Sequence, residues 1–142
     1  MRTIPALFAS LLALTAPLAL ADSPVGIWKN VSDKTGKVEA LIEISDVKGE
    51  LRGKLVKLMD PKETVCKECP GDKKNAPLMG LEIIWGVKKD GDEWAGGKIL
   101  DPNNGKIYSV KMALLEAGKK LEVRGFLGFS LLGRSQVWHR DQ

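Results

Sequence analysis

The chain has 142 residues, with 22 Lys and Arg against 18 Asp and Glu, one His and two Cys, for a formal net charge of +4. That length suits one domain with a real buried core and is too short for two of ordinary size. The surplus of positive charge is mild and its lysines alternate with glutamates, which argues against a nucleic-acid surface; weak contact with anionic membrane surfaces is the most it supports.

Met1-Arg2-Thr3 leads into an apolar run from Ile4 to Ala21 that closes with Ala19-Leu20-Ala21. A basic start, an apolar middle and small residues at the last and third-last positions describe a secretory signal peptide, so cleavage is expected after Ala21. Residues 22–142 then form a single periplasmic or secreted domain. An uncleaved anchor competes with this reading, but Pro5 and Pro17 interrupt a membrane-spanning helix. No second apolar span follows.

The domain opens with Gly26-Ile27-Trp28 on a short strand, turns at Lys34 to Lys37, and continues with Val38, Ala40, Ile42 and Ile44 alternating with Glu39, Leu41, Glu43 and Ser45. Period two with one charged face is the pattern of a half-buried strand. After a turn at Asp46 to Glu50 comes a third strand with Leu51, Gly53 and Leu55 inward. From Met59 to Pro77 the pattern stops, and Pro61, Pro70 and Pro77 with both cysteines make a long irregular loop of the kind that carries function. Leu81, Ile83, Trp85 and Val87 then read as the inward face of a fourth strand.

Trp94 to Tyr108 is the clearest hairpin in the chain. Asp101-Pro102 starts a turn and Asn103-Asn104-Gly105 tolerates positive φ, with strand-forming residues on both sides. Tyr108, Val110, Met112 and Leu114 face inward on the sixth strand, Leu121 and Val123 on the seventh, and Arg134 to Arg140 form the last. The sequence therefore predicts an all-β fold, an eight-stranded antiparallel up-and-down barrel, with a two-sheet sandwich as the alternative.

Several residue groups are candidates for chemistry. Cys66-x-x-Cys69 in an exported chain favours a disulfide that shapes its loop; a redox pair activated by nearby lysines and half of a zinc site are the competing readings. His139 has no Ser or Cys partner signature, so it reads as a strand histidine and no catalytic residue is assigned. The sequence implies no metal and no cofactor. Trp85, Tyr108, Val110 and Met112, expected to point into the barrel, are the candidate ligand-binding residues, against the plainer reading that they only fill the core.

Gly26-Ile27-Trp28, Cys66-Lys67-Glu68-Cys69, Gly96 through Tyr108, Val123 through Gly128, and Gly133 through Arg140 together resemble a bacterial secreted family, the domain of unknown function 2147. The resemblance implies a lipocalin-like barrel that binds a small apolar molecule, and it carries no assigned reaction. It also implies that Trp28 stacks on an Arg to close the barrel floor, with Arg134 and Arg140 both candidates. The function expected is a non-catalytic carrier of a small hydrophobic or amphipathic ligand. The alternative is an envelope interaction module with a filled barrel that works through loop 59–77.

Overall fold

Alternating burial along successive strands builds this fold. The structure, a computed structural model, describes residues 23–129 and 132–141, so the expected leader at 1–21 lies outside the described residues. Eight strands follow one another: β1 (Gly26–Val31), β2 (Val38–Val47), β3 (Glu50–Leu58), β4 (Glu82–Asp90), β5 (Glu93–Leu100), β6 (Ile107–Leu115), β7 (Lys120–Phe126) and β8 (Gly133–Arg140). Each pairs antiparallel with its sequence neighbours, and β8 returns to β1 through Trp28↔Arg140 and Lys29↔His139 to close the barrel. The up-and-down barrel expected from the sequence is the fold observed. Closure leaves no long unpaired edge.

This order places the connections at alternate ends. Segments 32–37, 59–81, 101–106 and 127–132 gather at one end, which we call the mouth, and the turns at 48–49, 91–92 and 116–119 at the other, the floor. The β5–β6 turn is fixed by its own side chains: Asp101 Oδ1 accepts from Asn103 N at 2.9 Å and Asn104 Oδ1 from Lys106 N at 2.8 Å. Such Asx turns are why Asp and Asn recur there.

Toward the floor the interior is solid. Trp28, Ile44, Leu51, Val87, Val110, Met112 and Leu121 are all buried there, so Val110 and Met112 do face inward.

Strict alternation fails in β4. Lys54 pairs with Glu82, Gly53 with Ile84 and Leu51 with Val87, so β4 absorbs two more residues than β3 over the same span. Bulges of this kind let neighbouring residues share a face and re-aim those that follow. Ile83 and Ile84 are therefore both buried, and Trp85 turns outward opposite the exposed Lys98. The expectation that Trp85 points into the barrel is corrected. Gly86 makes the second bulge possible: its φ is +73°, and its N–H donates at 2.8 Å to Glu50 Oε1 instead of to a strand partner.

Candidate ligand-binding site

Above the solid floor the barrel opens into a cavity of about 1420 Å3, a volume that includes the vestibule between the four mouth segments. Its deep wall is apolar: Ala40, Ile42, Leu55, Ile99, Val123 and Trp138 come from five different strands. Gly125 gives the wall extra width, since a Cβ there would lie 3.5 Å from Tyr108 Cβ and 3.7 Å from Ile99 Cγ2. Among the described residues no polar or charged side chain is fully buried, so the depth of the cavity offers a ligand apolar contact and no fixed charge.

Two neutral polar groups interrupt that wall. Trp138 Nε1 donates to Gln136 Oε1 at 3.1 Å, which satisfies the indole and leaves the amide nitrogen of Gln136 without a partner among the described residues. Tyr108 is half-buried nearer the mouth and accepts a long bond from Asn104 Nδ2 at 3.4 Å. Its own hydroxyl hydrogen is thus available to an acceptor.

Of the four ligand-binding candidates, only Tyr108 lines the cavity. Val110 and Met112 lie beneath it in the solid core, and Trp85 sits outside the barrel wall, with Lys73 Nζ 4.2 Å above its ring. Sequence reading missed Trp138 and Gln136. The inward row of β8 is Arg134, Gln136, Trp138 and Arg140, so hydrophobic alternation gives it no mark. A signal existed in the parity shared with Arg140, once that residue is required at the floor.

The floor is sealed by Arg140, not Arg134. Arg140 Cζ lies 4.2 Å over the Trp28 ring, and its guanidinium donates to Gly118 O at 2.8 Å, Val25 O at 2.9 Å and Ser23 O at 3.0 Å. Trp28 Nε1 in turn donates to Pro24 O at 2.7 Å. Desolvation by burial pulls the Arg140 pKa below its usual value. Arg134, by contrast, stands exposed at the mouth and pairs with Asp33.

The β3–β4 segment forms a fixed part of the mouth. Cys66 and Cys69 are joined in a disulfide, with Cα atoms 5.4 Å apart, and both are buried. Cys66 N donates to Ala76 O and Asn75 N to Cys66 O, both at 2.8 Å, folding the segment on itself. Cys66 Sγ lies 3.7 Å from Pro102 O, and Gly105 comes so close to Glu68 O that no side chain fits between them. The disulfide therefore braces this segment against the β5–β6 turn. An incoming thiolate has no open line to either sulfur.

His139 sits in a separate shallow hollow of about 420 Å3 outside the floor, lined by Lys29, Glu116, Lys119, Lys120, Arg140 and Asp141. Its charges pair among themselves, Lys120 with Glu116 at 3.0 Å and Lys29 with Asp141 at 3.8 Å. Among the described residues no Ser, Thr or Cys lines that hollow.

An eight-stranded closed up-and-down barrel with a sealed floor and a hollow at its mouth defines a lipocalin-like architecture. The fold is similar to that of a solved structure described as "Protein HP1028 from the human pathogen Helicobacter pylori belongs to the lipocalin family", with a TM-score of 0.72 and 20% identity, over 83% of this chain and 82% of that one. Residues 26–140 match the family described as "Uncharacterized protein conserved in bacteria (DUF2147)", and the chain belongs to that family. No curated protein matches the chain.

Proposed function

We propose that this chain is a non-catalytic periplasmic or secreted protein that holds a small hydrophobic or amphipathic molecule in its barrel. The observation that carries the reading is the hollow at the mouth, about 1420 Å3 with its vestibule, whose bottom is lined by apolar side chains. Small-molecule sites have this form, a mostly apolar hollow with a few neutral polar groups that orient the ligand. Gln136 and Tyr108 are those groups. An apolar chain lies against Ile42, Val123 and Trp138, and its polar end meets Tyr108 and the mixed charges of the mouth.

Export is supported by the residue pattern of 1–21 and by a disulfide, which persists in oxidising compartments. The envelope-module alternative assumes a filled barrel, and the hollow at the mouth favours the carrier reading over it.

Native mass spectrometry of the protein isolated from the periplasm of its own host, joined with titration by the neutral apolar fluorophore N-phenyl-1-naphthylamine, tests the proposal. A retained small-molecule adduct and saturable one-site probe binding are the expected results. Repeated absence of both overturns it.

A further inference from the structure

The inward row of β8 runs from mouth to floor through Arg134, Gln136, Trp138 and Arg140. Three of them are engaged: Arg134 with Asp33, Trp138 through its indole nitrogen, and Arg140 with the floor. Gln136 is different. An indole N–H can only donate, so the amide oxygen of Gln136 faces Trp138 at 3.1 Å and the amide nitrogen is turned away. Its two hydrogens meet no acceptor among the described residues, and Gln136 lines the cavity only half-buried. Asn30 stands on the neighbouring strand, one residue past the Lys29↔His139 pair on the side of Trp138. It too lines the cavity, and its carboxamide has no partner among the described residues. The cations of the lining, Lys34, Lys37, Lys62, Lys67 and Arg134, all stand on the mouth segments or at the mouth end of β8.

We propose that Gln136 selects, among apolar ligands, for one that carries an uncharged oxygen acceptor of the carbonyl kind partway along its chain. The inference rests on the carrier reading and names the chemistry of the molecule carried. A plain hydrocarbon laid over Gln136 and Asn30 strips their water and returns no hydrogen bond, which is the costly arrangement for amide groups. A carbonyl at that level accepts from the Gln136 nitrogen and restores the bond. A carboxylate there loses far more hydration and meets no cation, since the cations stand at the mouth. Sites with unused donors reject ligands that lack the matching group for this reason. A glutamine kept only for the indole uses its oxygen alone; the donors on its nitrogen are left for the ligand.

The test uses residues 22–142, which contain all eight strands, and displacement of N-phenyl-1-naphthylamine by tetradecane and by tetradecanones with the ketone at successive chain positions. The expected result is a preference of roughly three- to tenfold for one ketone position over the alkane. Gln136→Met has no donor, and Gln136→Glu in alkaline buffer still accepts from Trp138 but carries no N–H. Both lose that preference while binding the alkane as the parent chain does. The ketone stretching band of the bound ligand lies below its position in hydrocarbon solvent in the parent chain and returns toward it in both variants, a signature that a structural role for Gln136 does not produce. A variant that fails to fold loses alkane and ketone together, and the position series and the band in the parent chain then decide. Equal displacement by the alkane and by every ketone overturns the selection and leaves the carrier reading standing. A preference unchanged in both variants assigns the carbonyl to another group and overturns it as well. No displacement by any of these ligands removes the carrier reading and this inference together.

Discussion

Arg140 stacks on Trp28 at 4.2 Å and at the same time donates to three backbone carbonyls, at Ser23, Val25 and Gly118. One side chain thereby ties the segment before β1, the β6–β7 turn and the end of β8 into the floor. Arg140→Ala leaves three acceptors and an indole face without a partner, and is expected to cost about 2–4 kcal/mol. Arg140→Lys keeps the charge without the planar fork and falls between. Arg134→Ala removes only an exposed pair and stays within about 1 kcal/mol. Urea denaturation of the three variants checks the order.

Trp138 lines the cavity, whereas Trp85 lies outside the wall under Lys73. Energy transfer from tryptophan to bound N-phenyl-1-naphthylamine is therefore expected to fall mostly on Trp138→Phe and to persist in Trp85→Phe. Equal loss in both variants places the probe somewhere other than the barrel.

Tyr108 offers a hydroxyl hydrogen to the cavity. Tyr108→Phe is expected to weaken ligands that carry a hydrogen-bond acceptor by about 0.5–1.5 kcal/mol and to leave pure hydrocarbons unchanged. Competition against the fluorophore by a fatty alcohol and by the alkane of equal length measures the difference.

A Cβ at Gly97 would overlap Trp85 O and the Val87 side chain, and one at Gly105 would overlap Glu68 O. The first site lies inside the sheet and the second at the contact between a loop and a turn. Gly97→Ala is expected to cost about 3 kcal/mol or more, because two paired strands have to separate. Gly105→Ala, at a φ of +72°, costs about 1–3 kcal/mol and loosens the 59–81 segment alone. Amide exchange distinguishes a sheet-wide change from a local one.

The Cys66–Cys69 link closes a very short loop, so its removal in C66S/C69S is expected to cost only about 2 kcal/mol. The barrel persists and exchange protection falls in residues 59–81. Freshly isolated native protein takes up no alkylating reagent without reductant; labelling of both thiols under those conditions contradicts the bridge.

Strand count and turn positions were legible because they depend on local rules, alternation, Asx turns and positive-φ glycines, whereas the stacking of Trp28 on an Arg was implied only by the family resemblance. The choice of Arg140 over Arg134 was not legible, since both lie on the inward face of β8 and only closure of the ring decides which end meets Trp28. Trp85 was misplaced because the bulges of β4 depend on the register of β3, which no window of β4 contains. Gln136 and Trp138 escaped notice for a related reason. A cavity wall that includes polar groups does not alternate apolar with polar, so the pattern that finds a core passes over a binding surface.

The floor has one further consequence. Ser23 O meets Arg140, and Asp141 N donates to Ile27 O at 2.8 Å, so the first and last described residues lie together at the end opposite the mouth. A tether joined at Ser23 or at Asp141 therefore leaves the barrel from its sealed end.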